Sequence, residues 1–442
     1  LEHHQLAQRA NEGFNATVWS LMHALFGFID DIDPQEHAMV MLRRDLLSSW
    51  IESVVADNKT GNLDYLDRLV NLMLCHKVNE ACELALDNDD INLSLLMAQC
   101  SGGPAIRQLV QHQLGSWREV EADEFIDERR LRVLMMIGGV PAMEGPKQSI
   151  VNIFEHLDWL KCLALQLWYI SSPVSSVTDA VIAYERNFQQ SEFEVASPTK
   201  NGFQDVRFHL MKLFSQRSHP LEALLHPANY TTDLTDFRLS FLLLQVLDTL
   251  GYRHLSDSNR MTIYTSLAEQ LETNGLWEWS VWVMLHIVDR NHREIAVQQL
   301  LYRHVSIDYS DDYAEKEKFI VESLHVPQKW ISYAKAVRAG VVGNHHLEVK
   351  HLLKAHQWSK AHEVMMQYIA PDLVINDQID FLKSLLRQFE VTKDIQNWKI
   401  QGEVLVHFIE LNEKVRKKII YNHFEIVLEH FCFTVQVFER KS

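Results

Sequence analysis

One short acidic string in this 442-residue chain has the residue types and spacing to bind metal ions. Asp311–Glu315 reads D-D-Y-A-E and matches the D-D-x-x-D/E pattern of all-α prenyl-diphosphate enzymes, in which carboxylates one helical turn apart bridge magnesium ions. Those enzymes also need N/D-D-x-x-S/T-x-x-x-E, but here Asp380 replaces the hydroxyl residue and Ser384 replaces the final acid. We therefore interpret Ser310 and the two aspartates after it as a helix start, because the helix dipole favours acids there.

No other metal or catalytic pattern in the sequence is complete. Asp87–Asp90 begins like a calcium-binding EF-hand loop, but Asn92 stands where glycine is required and Ala98 where glutamate is required. The 23 histidines form no H-E-x-x-H, and those between positions 345 and 362 include no pair four residues apart. Glycine-rich phosphate loops and the G-x-S-x-G nucleophile motif are missing as well. We predict no catalytic, cofactor-binding or metal residues, and hence no enzyme.

Three tryptophans crowd one predicted helix, at Trp277, Trp279 and Trp282. Stacked aromatic rings can bind nucleic-acid bases or methylated lysines. Basic residues do not flank these tryptophans, so we interpret them as an apolar seam between layers of helices.

The composition and the spacing of apolar residues predict that the acidic string, the histidines and the tryptophans all lie on helices or in the turns between them. The chain has only 15 Gly and 10 Pro, which is few for a protein built from sheets and loops, and 47% of its residues are hydrophobic. Apolar residues recur at helical spacing from end to end, in stretches of roughly 11 to 18 residues. Helix starts are predicted at Asp33-Pro34, at Ser176-x-x-Asp179 and at Val326-Pro327. No run of residues shows a convincing strand alternation.

These patterns predict an all-α fold. About 20 helices joined by short turns must pack mostly as antiparallel neighbours. A strict repeat of about 34 or 40 residues is missing, which excludes a regular helical-repeat array. The predicted architecture is an irregular α-solenoid.

Charge and cysteine content limit the partners and the compartment. The net charge is −17, and residues 1–130 alone hold 22 acidic and 10 basic side chains. Such a surface repels phosphate backbones, so we expect no direct binding of nucleic acid. No apolar stretch approaches the roughly 20 residues of a membrane helix, so no transmembrane segment is predicted. Five scattered cysteines without a C-x-x-C pair are typical of the reducing cytosol or nucleus.

Six stretches of the sequence, in order along the chain, carry a resemblance to a known family. They read EADEFIDERRLR at 121–132, LDWLKCLALQLWY at 157–169, DFRLS at 236–240, LETNGLWEWSVWVMLHI at 271–287, REIAVQQLLYRH at 293–304 and VPQKWISYAKAVRA at 326–339. In these stretches the chain resembles the nucleoporin 96 family, the scaffold part of the nucleoporin 98/96 precursor and one of the ancestral coatomer elements. The likeness covers roughly residues 17 to 390.

The resemblance implies a fold and a function. It implies a solenoid folded back on itself, with a trunk at 1–61 and 232–371, a crown at 62–231 and a tail at 372–442. It also implies a structural scaffold protein of the Y-shaped nuclear pore subcomplex, located at the nuclear envelope. Such a protein acts through helical interfaces in pore assembly and in mRNA and protein transport.

The resemblance further implies two protein partners. The crown is expected to pack on nucleoporin 107. The predicted contact residues lie on a crown helix at about 125–137, and they are Phe125, Asp127, Glu128, Arg130, Leu131, Leu134 and Met135. Family members also insert an extended N-terminal segment into a β-propeller protein shared with COPII coats. That segment is absent or nearly so in this sequence, so the propeller contact is expected through trunk helices.

Two other functions remain as alternatives. A solenoid that carries cargo or peptides, as transport adaptors do, would have regular repeats and a ligand groove, and the irregular spacing speaks against it. An all-α magnesium-dependent prenyl-diphosphate enzyme would bind its metal through Asp311–Glu315.

Overall fold

The structure is a computed structural model that describes residues 13–29, 37–55, 64–100, 104–144, 150–308, 310–389, 395–416 and 418. The chain divides into two compact units, unit 1 at Leu1–Ile263 and unit 2 at Tyr264–Ser442. Helices dominate both units, which confirms the predicted all-α class. Every helix within the described ranges is too short or too polar to cross a membrane. The helix start predicted at Asp33-Pro34 lies outside the described residues.

Unit 1 is built mostly from helices of 7 to 19 residues. Its first helices are α1 (Gly13–Phe26), α2 (His37–Val55), α3 (Tyr65–Leu74), α4 (Val78–Asp87), α5 (Ile91–Ala98), α6 (Pro104–Glu119) and α7 (Glu128–Gly138), with a 3₁₀ turn at Ala122–Phe125. Next come β1 (Ala142–Glu144), β2 (Ile150–Asn152), α8 (Trp159–Leu165) with a π turn at Gln166–Ile170, and α9 (Val177–Gln190). The rest comprises β3 (Thr199–Lys200), β4 (Phe203–Gln204), α10 (Val206–Ser215), α11 (Leu221–Leu224), a 3₁₀ turn at Pro227–Asn229 and α12 (Arg238–Thr249).

Consecutive helices of unit 1 pack side by side, as in a solenoid. The pairs include α1 with α2, α4 with α5, α6 with α7, and α9 with α10. The chain also returns on itself, because α1 packs against α10 and α2 packs against α8 and α9. Arg44 of α2 fixes the second contact, since its buried Nη1 donates 2.8 Å hydrogen bonds to the carbonyl and hydroxyl oxygens of Ser175. The trunk–crown division predicted at 61/62 stays a prediction, and both of its sides belong to unit 1.

Short polar side chains cap several helices of unit 1. Ser176 and Asp179 form the predicted capping box of α9: Ser176 Oγ accepts the Asp179 N–H at 3.1 Å, and Asp179 Oδ2 accepts the Ser176 N–H at 3.0 Å. Hydrogen bonds from Ser176 lower the pKa of the Asp179 carboxyl. Asp158 caps α8 by accepting the Lys161 N–H at 2.8 Å. Each bond satisfies a donor that the first helical turn leaves unpaired.

Two small antiparallel hairpins interrupt these helices. Strand β1 pairs with β2 from Ala142 opposite Asn152 to Glu144 opposite Ile150, and β3 pairs with β4. Strands of two or three residues are too short to display an alternation, which is why the sequence pattern does not predict them.

A pair of histidines is buried in unit 1. His209 lies on α10, and its Nδ1 is 2.8 Å from Nε2 of His219. Burial, followed by the positive charge of groups such as Lys212, lowers the pKa of each ring to about 4. Both rings are therefore neutral at pH 7, and one donates its N–H to the other.

Unit 2 continues the helical pattern, and α13 (Asp257–Thr273) contains the boundary between the units. Its further helices are α14 (Trp277–Met284), α15 (Arg290–His304), α16 (Asp311–Lys318), α17 (Gln328–Val342), α18 (His345–Lys354), α19 (Trp358–Val364), α20 (Ala370–Ile375) and α21 (Ile379–Arg387). Turns of π-helix follow α16 at Phe319–Ser323 and α19 at Met365–Ile369, and another at Trp398–Gly402 leads into helical residues 403–416.

Unit 2 also packs consecutive helices as neighbours, including α14 with α15, α17 with α18, α18 with α19, and α20 with α21. Helix α17 begins directly after Pro327, as predicted. The apolar cluster beneath the last helices includes Leu352, Ile369, Leu382 and Phe389, all of them buried. This core holds α18 and α21 in fixed positions.

Candidate interaction surface

The clearest exposed apolar surface of unit 1 lies on the hairpin formed by α4 and α5. The two helices pack on each other, and Ala81, Ala85, Leu93 and Met97 are buried. The backbone turns at Asn88–Asp90, where the Asp90 N–H donates to the Ala85 carbonyl at 2.9 Å. A tight turn between two short helices therefore fixes the orientation of both.

Three large apolar side chains of this α4–α5 hairpin are exposed. Leu86, Ile91 and Leu95 keep 52%, 57% and 57% of their surface exposed. Ile91 and Leu95 are four residues apart on α5, so they share one helix face. The sequence of α5 is INLSLLMA, which contains no charged residue. By helical spacing, Ile91 and Leu95 lie on the side of α5 opposite the buried Leu93 and Met97, so this helix is apolar on its outer side as well as its inner side.

Two more exposed apolar side chains lie close by in the sequence, Leu109 on helix α6 and Val120 in the turn directly after it. The opposite face of α6 packs on α7 through buried Val110 and Leu114. Gln111 fixes the pair by donating a 2.8 Å hydrogen bond to the carbonyl of Gly138, the last residue of α7.

The charged members of the predicted interface lie at the start of α7. Asp127 is the N-cap, accepting the Arg129 N–H at 2.9 Å, and hydrogen bonds from Arg129 lower the pKa of its carboxyl. Glu128 accepts a 2.9 Å hydrogen bond from Arg132. Arg130 forms a 2.8 Å ion pair with Asp90 of the α4–α5 turn. These charges already have partners within unit 1.

The apolar members of the predicted interface have two different locations. Leu131, Leu134 and Met135 are buried, because α7 packs against both α3 and α6. A partner cannot reach these three residues as α7 lies here. Phe125, in the 3₁₀ turn before α7, is 90% exposed. The role of these residues in binding stays a prediction, and the structure leaves only Phe125 and the charged residues accessible.

The acidic string of unit 2 forms a helix start. Ser310 caps α16 by accepting the Tyr313 N–H at 3.2 Å, and Asp311 and Asp312 occupy the first turn. Asp312 pairs with Lys316 at 3.1 Å. The interpretation as a capped helix is confirmed. Among the described residues, no three His, Cys, Asp or Glu side chains come together as a metal site.

The three tryptophans of α14 have different surroundings. Trp277 is buried and stacks on His304, with ring centroids 5.5 Å apart. Trp279 remains partly exposed and contacts Phe319 and Trp282, with centroids 5.1 and 6.1 Å from its own. The group packs helices of unit 2 together, as an apolar seam does.

Comparison with known proteins identifies the family. The profile of the Nuclear protein 96 (Nup96) family matches residues 67–338, which is more than half of the chain. The chain belongs to the Nup96 family. The matched part includes the α4–α5 hairpin, α6, α7 and the tryptophan-rich α14. The predicted resemblance is therefore confirmed.

Several relatives of the Nup96 family align with most of the chain. The Nuclear pore complex protein Nup98-Nup96 of Drosophila melanogaster is 43% identical over an alignment of 428 residues, and the alignment covers 92% of this chain and 22% of that protein. The protein of the same name from Dictyostelium discoideum is 29% identical, covering 89% of this chain and 21% of its own length. Nuclear pore complex protein NUP96 of Arabidopsis thaliana is 22% identical, covering 86% of this chain and 38% of its own length. The chain thus spans between a fifth and two-fifths of these relatives.

For this Nup96 family member, the surface that the sequence pattern missed is the α4–α5 hairpin. The sequence does contain a sign of this surface, because the segment Ile91–Ala98 has no charged residue although polar turns flank it on both sides. The amphipathic pattern of α7 is more conspicuous but marks a helix whose apolar side is already covered.

Proposed function

We propose that this chain is a non-catalytic structural scaffold of the nuclear pore, located at the nuclear envelope. Membership of the Nup96 family supports this function, and relatives that align with most of the chain are named nuclear pore complex proteins. As the resemblance implies, we assign it to the Y-shaped subcomplex, where it serves pore assembly and transport of mRNA and protein. The chain acts by offering helical faces to other subunits.

The observation that best supports binding through a helical face is the exposed apolar surface of the α4–α5 hairpin. Removing apolar surface from water contributes about 25 cal/mol per Å². Apolar anchors that are fixed on packed helices lose little entropy when a partner covers them. The hairpin lies within residues 62–231, the segment whose implied partner is nucleoporin 107. We therefore assign Ile91 and Leu95 to that contact, with Leu86 and Phe125 at its border.

Titration calorimetry with nucleoporin 107 tests this assignment. The unmodified chain should bind, and the complex should have the mass of one copy of each protein. Leu95→Asp places a charge in the contact and should weaken binding at least tenfold, which corresponds to about 1.4 kcal/mol. Because Leu95 is largely exposed, the variant should keep the circular dichroism and unfolding midpoint of the unmodified chain.

Val341→Asp is the matched control, since Val341 is an exposed apolar residue of α17 in unit 2. It should bind nucleoporin 107 as tightly as the unmodified chain. Equal affinity of the Leu95 and Val341 variants would remove the α4–α5 hairpin from the interface. A chain that stays free in the presence of nucleoporin 107 and of the COPII-shared β-propeller protein would contradict the scaffold function itself.

A further inference from the structure

A groove on unit 2 has the form of a binding site for a helix. One wall is a face of α18, where His346, Val349, Lys350, Leu353 and Lys354 recur at steps of three, one, three and one. The facing wall comprises Phe381, Leu385 and Gln388, on and directly after α21, and Ile369 lies between the walls. We call this the α18–α21 groove. Its volume is about 630 Å³, which is within the usual size of ligand sites, roughly 300–1,000 Å³.

The inside of the α18–α21 groove is apolar. Val349, Leu353 and Ile369 line the groove and are buried, while about half of the surface of Phe381 is exposed. Exposed aromatic rings beside a buried aliphatic base are typical of the anchoring pockets of protein interfaces. An apolar side chain that entered here would leave water and contact several side chains at once.

The two helices that form the walls of the groove are anchored in the core of unit 2. Leu352 on α18 and Leu382 and Leu386 on α21 point into the core of unit 2 and are buried. At the start of α18, His345 stacks on Tyr368 with centroids 3.9 Å apart and pairs with Glu348 at 2.9 Å. The groove is therefore preformed, and a ligand need not supply the cost of ordering it.

The rim of the groove is positively charged, although the chain as a whole carries −17. Lys350 and Lys354 are exposed and lie one helical turn apart. Neither lysine has an ion-pair partner within the part of the chain that the structure describes, and no Asp or Glu is among the lining residues. The two ammonium groups are thus available to a ligand, and they favour a negative one.

We propose that the α18–α21 groove binds an acidic amphipathic helix of a partner protein. The helix would place apolar residues at i, i+3 or i+4, and i+7 between the two walls, in the helix-in-groove mode. Glutamate or aspartate beside that stripe would pair with Lys350 and Lys354. A basic helix would meet the same lysines with repulsion, which makes charge the basis of selection. This site is separate from the α4–α5 hairpin and adds a second interface, on unit 2.

Two synthetic helical peptides test the proposal against the complete chain. Both carry leucine at i, i+3, i+4 and i+7, and one has glutamate and the other lysine at the flanking positions. Fluorescence anisotropy should show binding of the glutamate peptide at least tenfold tighter than that of the lysine peptide. The difference should shrink as salt is added, because exposed charge pairs are screened.

Variants of the chain locate the binding. Lys350→Glu with Lys354→Glu should reverse the preference, so that the lysine peptide binds better than the glutamate peptide. Lys329→Glu with Lys399→Glu is the charge-matched control outside the groove, and it should retain the original preference. Phe381→Asp should remove binding of both peptides, and Leu95→Asp in unit 1 should leave both unchanged, which separates this site from the proposed scaffold contact.

Three outcomes would overturn the proposal. The first is that neither peptide binds the complete chain. The second is that the lysine reversal leaves the preference unaltered while circular dichroism shows a folded protein. The third is that light scattering detects a dimer of the chain that Phe381→Asp dissociates, because the groove would then accept a second copy.

Discussion

Helices α5 and α7 belong to the same unit and differ in what their outer sides present. The outer side of α7 is charged, and its charges are used internally: Asp127 caps the helix, Glu128 pairs with Arg132, and Arg130 pairs with Asp90. The outer side of α5 is apolar and exposed at Ile91 and Leu95. The outer side of α7 therefore finds its contacts within the unit, whereas the outer side of α5 leaves apolar surface exposed to water.

This difference indicates how an all-helical scaffold separates folding from assembly. A helix with one apolar stripe buries that stripe in the core of its own unit, and its polar face contacts water and neighbouring side chains. A helix with apolar residues on two opposite sides, such as α5, contributes to the core with one side and leaves the other available to a partner. Substitutions on α7 should therefore affect stability, and substitutions on α5 should affect binding.

The largest effect on stability is expected from Met135→Ala on α7. Met135 is fully buried, so the truncation removes apolar contacts and leaves a cavity. The free energy of unfolding should fall by about 2–5 kcal/mol, measured by urea denaturation. Leu95→Ala on α5 is the control of similar chemistry, and a loss as large as that of Met135→Ala would erase the distinction between the two helices.

A smaller effect is expected from Asp127→Ala, which removes the N-cap of α7. Loss of a capping side chain costs about 1 kcal/mol. Because Arg129 lowers the pKa of this carboxyl, the stabilisation is complete above the ordinary Asp pKa of about 3.9 and is lost as the pH falls through the lower folded-state pKa. Unfolding curves of the variant and the unmodified chain should thus differ at pH 7 and converge in strong acid. A difference that persists there would assign the effect to something other than the charge.

Arg130→Ala should have a still smaller effect. Its ion pair with Asp90 connects the start of α7 to the α4–α5 turn, and such partly exposed pairs contribute about 1 kcal/mol or less. The loss should decrease at high salt, which urea denaturation at two salt concentrations can measure. An undiminished loss in salt would mean that Arg130 acts by packing.

The smallest effect is expected from Leu95→Asp on the free chain. Substitution at an exposed position usually changes stability by no more than about 0.5 kcal/mol. Thermal unfolding of the variant alone provides the measurement. Destabilisation beyond about 1 kcal/mol would show that the outer side of α5 supports the fold rather than a partner.

Much of the fold follows from the sequence because its determinants are local. Helical spacing, the capping box at Ser176 and Asp179, and the cap at Ser310 each depend on residues within a few positions of one another. The six distinctive stretches lead to the Nup96 family for a similar reason, since each is a continuous segment. These expectations are confirmed.

The interaction surfaces do not follow from the sequence, because burial depends on distant packing. The spacing of Leu131, Leu134 and Met135 marks an apolar face of α7 but cannot show that α3 and α6 cover it. The same limitation applies to the α18–α21 groove. Lys350 and Phe381 are about thirty positions apart, and only the folded core of unit 2 brings their helices to face each other.

The buried pair of His209 and His219 couples the unfolding of unit 1 to proton uptake in mild acid. The hydrogen bond between the two rings needs one nitrogen without a proton, so the folded pair resists protonation until the pH approaches about 4. In the unfolded chain each ring takes up a proton near pH 6.5, the ordinary histidine value. Between these two limits, a falling pH therefore lowers the free energy of unfolding through this pair, and the contribution of the pair to stability is fully present only above about pH 6.5.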